Sequence, residues 1–146
     1  MSIPFYGQNK DGDNLQYAAD GKVRFKSIAA EAHEQLSASD SGAIVKIAAN
    51  STEVTLPPAA EGLNFTFIFS AHATAICKVN TAATDDFVGS LNANTGAGDI
   101  AVDGDVSIET GSATVAGDYV SVACDGTDWF IMDSMSSVTT NGLVFA

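Results

Sequence analysis

The sequence predicts an all-β fold, an antiparallel β-sandwich or barrel of about ten short strands behind an extended N-terminal arm. Three observations carry this. Short runs rich in Val, Ile, Thr and Phe alternate apolar and polar residues with period two, the pattern of half-buried strands. Turn signals built from Gly, Asp and Asn recur roughly every eight to twelve residues between those runs. No stretch sustains a helical period long enough to compete.

Residues 1–26 read as the arm and 27–146 as a single β domain. Pro4, Gly7 and Gly12 interrupt the first twenty residues, whose polar side chains cluster without period. Asn9-Lys-Asp-Gly-Asp13 has the alternating oxygens that open a calcium loop. Asn14, however, stands where such a loop requires Gly, so a solvated turn is the better reading. Lys22–Ile28 alternates, with Val23 and Phe25 on one side. Ala29–Leu36 mixes good helix formers with alternating Ile28, Ala30, Ala32 and Leu36, and is read as strand from its neighbours.

Ala43–Ala48 and Thr52–Leu56 are strands across an Asn50-Ser51 turn, the second ended by Pro57-Pro58. Asn64–Ser70 puts Phe65, Phe67 and Phe69 on one face, and Thr74–Asn80 follows at hairpin distance. Asp86–Ser90, Asp99–Val102, Val106–Glu109, Ala113–Val115 and a final Leu143–Phe145 are shorter strands. Tyr119–Met132 holds the only Trp and reads as two strands about Asp125-Gly126, a pair that supplies the positive φ of tight turns. A two-residue loop places Val122 opposite Trp129; a four-residue loop places Cys124 there. Either register turns Val120, Val122, Cys124, Trp129 and Ile131 inward. The other face carries Tyr119, Ser121, Ala123, Asp128, Phe130 and Met132, too apolar to be left to water. Tyr119, Phe130 and Met132 are therefore expected at a subunit interface.

The chain has 146 residues, 46% of them hydrophobic, which excludes a disordered chain. No apolar run approaches the roughly 18 residues of a spanning helix, and the N-terminus lacks the form of a secretory signal. The net charge is −12, and residues 79–146 hold ten acids and no Lys or Arg. Phosphate contacts come from Lys and Arg, so no nucleic acid is expected as a partner. Four of the six basic residues lie in the arm. Cys77 and Cys124 sit inside strand patterns and read as reduced, buried thiols.

The catalytic inventory is thin. His33 and His72 have no carboxylate or Cys at metal-ligand spacing, and no Gly-x-Ser-x-Gly elbow occurs. Asp99, Asp103, Asp105, Asp118, Asp125 and Asp128 each sit beside Gly or Thr at turns, where Asp bonds its own backbone. A non-enzyme with no metal or cofactor is expected.

Two runs carry a resemblance: Thr55-Leu-Pro-Pro-Ala-Ala-Glu-Gly-Leu-Asn-Phe-Thr-Phe67, and Gly117-Asp-Tyr-Val-Ser-Val-Ala-Cys-Asp-Gly-Thr-Asp-Trp129, with Asp40-Ser41-Gly42 ahead of them. This pattern resembles a β-rich module of tailed-bacteriophage virion proteins, over about residues 36–132. The resemblance implies a capsid decoration (cement) protein on the outer capsid surface, assembled in the host cytoplasm, with the major capsid protein as partner. The alternative it implies is a tail-fibre or tail-associated receptor- or carbohydrate-binding module. A homotrimer is expected. Capsid docking falls to the arm: Phe5 and Tyr6 near its tip, Val23 and Phe25 as an added strand, and Lys22, Arg24 and Lys26 toward acidic groups.

Overall fold

The computed structural model describes residues 23–48, 50–70, 75–82, 84–93, 99–100, 104–111, 113–137 and 142–146. Among them the chain is all-β, with one 3-10 turn at Ala38–Asp40 and no α-helix. The strands are β1 Phe25–Ile28, β2 His33–Gln35, β3 Ile44–Ile47, β4 Glu53–Thr55, β5 Asn64–Phe69 and β6 Lys78–Asn80. Then follow β7 Phe87–Val88, β8 Ser90–Leu91, β9 Asp99–Ile100, β10 Ser107–Thr110, β11 Tyr119–Cys124, β12 Trp129–Met135 and β13 Leu143–Phe145.

Two sheets hold most of these strands. A six-stranded sheet runs β1-β3-β5-β11-β12-β7, and a five-stranded sheet runs β13-β10-β6-β4-β2; β8 and β9 form a separate pair. Both large sheets are mixed, which corrects the antiparallel expectation. β1, β3 and β5 are mutually parallel, and so are β2, β4 and β6. The antiparallel pairs are β5–β11, β11–β12, β6–β10 and β10–β13.

The reason lies in the turns. Asn50 and Ser51 both take positive φ, 70° and 51°, as the Asn-Ser turn requires. That turn sends the chain into the other sheet instead of back along β3. From β1 to β6 the strands alternate between the sheets, so each returns parallel to its predecessor after a crossover of roughly fifteen to twenty residues. Successive turns stack as well. Glu31, at φ 62°, donates its N–H to the Asn50 carbonyl at 2.9 Å, and the buried Thr52 hydroxyl reaches the Ala29 and Ala48 carbonyls, both at 3.2 Å.

One hydrophobic cluster draws on both sheets. Val45, Ile47, Phe65, Phe67, Phe69, Val120, Val122 and Trp129 come from the first, and Val54, Val79 and Ile108 from the second. All are buried, and each fully buried aliphatic or aromatic side chain contributes about 1.5–3 kcal/mol by leaving water. Cys77 and Cys124 are free and buried. The Trp129 ring stands 5.9 Å from that of Phe65.

In the β11–β12 hairpin Cys124 faces Trp129, the four-residue-loop register. Gly126 takes φ +106°, and Asp125 Oδ1 accepts the Thr127 and Asp128 N–H groups at 2.9 and 3.0 Å. Those two donors, Asp128 first, hold the Asp125 carboxyl below its usual range. Val122 then pairs Ile131 while Ser121 pairs Asp133, so Met132 is the extra residue of a β-bulge. The bulge shifts the alternation, and Ser134 becomes the next buried residue.

The expected strand Ala113–Val115 does not form. The Val115 N–H is taken by Asp118 Oδ2 at 3.1 Å, which folds the segment into a turn. The strand expected from Thr74 begins at Lys78. β1 begins at Phe25, so the sheet includes the last two residues of the segment read as the arm.

Candidate interaction surface

The outer faces of the two sheets differ in chemistry. On the five-stranded sheet one row runs His33, Glu53, Lys78, Glu109 across β2, β4, β6 and β10. His33 Nδ1 lies 3.0 Å from Glu53 Oε2, and Lys78 is ion-paired with Glu109, whose hydrogen bond raises the Lys78 ammonium above its ordinary value. Opposite charges placed directly across strands stabilise the sheet modestly and suit a face turned to water.

The six-stranded sheet is the reverse. Its outer rows read Phe25-Ile44-Thr66-Ser121-Asp133 and Ser27-Lys46-Ile68-Tyr119-Met135, with Ala123, Phe130 and Val88 beyond. Of the large hydrophobic residues left exposed, Phe25, Val88, Phe130, Met132 and Met135 all lie here, Met132 at 66% and Phe25 at 60%. The bulge presents Met132 to the outside. Polar groups on this face bond to one another: Thr66 with Ser121 at 2.8 Å, and the Tyr119 hydroxyl to Asp133 Oδ2 at 2.9 Å. That bond to Asp133 raises the Tyr119 hydroxyl above the ordinary phenol range. Contiguous exposed apolar residues of this kind make the face a candidate interaction surface.

The residues offered as interface, Tyr119, Phe130 and Met132, share this face. The docking residues are divided. Phe5, Tyr6 and Lys22 lie outside the described residues, as does the Asn9–Asp13 loop. Val23 and Phe25 are exposed at the β1 edge. Arg24 donates to the Ser39 and Ser41 carbonyls at 3.0 and 3.5 Å, and Lys26 Nζ lies 2.7 Å from Glu34 and 3.3 Å from Asp40. Both cations are engaged within the chain.

Sequence reading missed Lys46. Among the described Lys and Arg residues it alone has no carboxylate or carbonyl partner, and it borders a depression of about 290 Å³ with Ser27 and Ser70. Only the strand order shows that Lys46 shares a face with Met132.

The Asp residues weighed for catalysis have structural roles where they are described, with Asp125 and Asp128 in one turn. Asp118 is fully buried and accepts from Val115 N, Ser137 N and Ser137 Oγ at 3.1, 2.8 and 2.6 Å. Asp125 caps its turn, and the side chains of Asp99 and Asp103 lie outside the described set. No group of His, Cys, Asp and Glu suited to a metal ion occurs among the described residues. No described helix is long and apolar enough to cross a membrane. Compared with known proteins, the chain matches no family model and no curated protein.

Proposed function

We propose that this chain is a non-enzymatic structural protein of a phage virion, a decoration protein that binds the outside of the capsid and stabilises the head. The reading takes the two sheets as the layers of a sandwich, three copies as the working unit, and the major capsid protein as the partner. The observation that carries it is the contrast between faces: one row of hydrogen-bonded and ion-paired polar residues, and one apolar outer sheet face with Val23 and Phe25 exposed at its edge. A cement protein needs such a division, since it must cover joints between shell subunits while its acidic body faces water. Closed rotational symmetry is the ordinary solution for identical chains with one sticky face. No cofactor is called for.

Docking falls to the N-terminal segment. On this reading Val23 and Phe25, exposed at the edge strand β1, extend it against a partner's strand, with backbone hydrogen bonds giving affinity. Co-sedimentation with empty heads tests the reading. The full chain is expected to pellet with heads, and deletion of residues 1–20 together with Val23→Asp and Phe25→Asp to abolish binding while the circular dichroism of the body is retained. Unchanged binding by the truncated, substituted chain removes the segment as anchor; no binding by the full chain rejects decoration.

A tail-associated, carbohydrate-binding role is the second reading. It rests on the exposed rings of Phe25 and Phe130, since burial of Trp129 removes the strongest stacking platform. Glycan binding lost on Phe130→Ala would favour it.

A further inference from the structure

We propose that the outer face of the six-stranded sheet is where copies of this chain meet, with Lys46 of one copy paired to Asp133 of the next. The inference rests on the oligomer in the reading above and supplies its surface and its charges.

Lys46 stands on β3 and Asp133 on β12, with β5 and β11 between them, about 14 Å apart across the sheet and offset by two residues, about 7 Å, along it. Ile68, Tyr119, Met132 and Met135 occupy the ground between or beside them. The face thus carries an unpaired cation on β3 and a carboxylate on β12, with Ile68, the Tyr119 ring and the Thr66–Ser121 pair between them and exposed Met132 and Met135 on the β12 flank. Asp133 Oδ2 accepts the Tyr119 hydroxyl and Oδ1 the Ser134 N–H at 2.8 Å, which fixes the group yet leaves lone pairs for an ammonium.

Opposite charges on opposite flanks are what a head-to-tail contact between identical surfaces requires. A rotation axis along the strands turns these faces toward one another and sets the β3 flank of one copy against the β12 flank of the next, with the long Lys46 side chain spanning the two-residue offset. Every Lys46 then finds an Asp133, and the ring closes with none left over. A second copy suits the face better than a foreign chain, because it supplies both complements at once. The pairing also answers a difficulty of composition. Chains of net charge −12 repel one another, and Lys46 is the one described cation left to offset that at the contact.

Sedimentation equilibrium of the full chain at micromolar concentration tests the proposal. The unaltered protein is expected to be a trimer. Lys46→Glu and Asp133→Lys should each weaken association about tenfold or more, since each sets like charges face to face. The double variant carries the swapped pair and should recover most of the loss. Met132→Lys should dissociate the assembly, with folding of every variant checked by circular dichroism. Full association in both single variants overturns the pairing, as does a double variant no better than the singles. A monomeric unaltered protein removes the oligomer itself, whereas binding to heads, measured separately, decides decoration.

Discussion

Lys26 Nζ stands 2.7 Å from Glu34 Oε1, an ion pair between strands of different sheets. Lys26 is registered beside Val45 and Glu34 beside Val54, both fully buried, so the pair sits where the core reaches its first two strands. β1 and β2 are edge strands, and a charge turned toward the core discourages indiscriminate pairing there while leaving β1 to the strand of a specific partner. Lys26→Met is expected to cost about 1 kcal/mol in urea unfolding at pH 7, because the pair is partly solvated. The same change should promote aggregation at high concentration; a variant as stable and soluble as the parent would show the pair to be incidental.

The effect has a pH signature. The hydrogen bond from Glu34 raises the Lys26 ammonium above its ordinary value, against an opposing push from burial. Its contribution is therefore complete below about pH 10.4 and is lost as pH rises through the higher folded value. For Asp40 burial acts to raise the carboxyl, but the Ser37 N–H and hydroxyl, helped by Lys26, outweigh it and hold the group low. That contribution is present above about pH 3.9 and is lost as pH falls through the lower folded value. The stability gap between parent and Lys26→Met should therefore be widest between these limits and close below about pH 4. A gap that persists in acid would mean that the methylene stem, not the charge, matters.

Asp118 is a buried carboxylate with no basic partner among its hydrogen bonds, held by three donors from residues on either side of the hairpin. Asp118→Ala leaves the Val115 N–H and Ser137 groups without their acceptor, at a cost of about 2–3 kcal/mol. Thermal unfolding reads this, and a loss under about 0.5 kcal/mol would show that water replaces the carboxylate.

Trp129 is fully buried against Phe65, and its indole N–H has no hydrogen-bond partner among the described residues. Trp129→Ala should cost about 3–5 kcal/mol through the cavity it leaves. Trp129→Phe gives up volume but also removes the unsatisfied donor, so it should cost distinctly less. Equal losses in denaturant titration would show that the orphan N–H carries no penalty.

Gly89 has φ +130°, and a Cβ there would lie 3.0 Å from Ile131 Cβ on β12. Gly89→Ala should destabilise by about 1–3 kcal/mol, from overpacking and an unfavourable backbone together. A neutral result in thermal melts would mean that the β7–β8 segment shifts freely away from β12.

The strand positions were largely legible because period-two alternation is local: Phe65, Phe67 and Phe69 turn inward as their spacing says. Partnership was not. Asn50-Ser51 reads the same whether it closes a hairpin or carries the chain to another sheet, since the choice depends on where β4 finds its neighbour. For that reason Lys26 looked available to a partner, when β2 in the opposite sheet brings Glu34 to it. Tyr119, Phe130 and Met132 were legible as a second apolar face. Lys46, Val88 and Phe25 joined them only through strand order, and the bulge at Met132 left no mark in composition.

Because the chain alternates between sheets from β1 to β6, neither sheet can assemble ahead of the other. Each parallel neighbour is reached only after a strand has been laid down opposite, so this half must condense in one concerted event with distant contacts and a correspondingly slow rate. The β11–β12 hairpin is local and can form early, as a template for β5. Amide hydrogens of β3 and β4, though in different sheets, should therefore exchange at one common rate through shared openings.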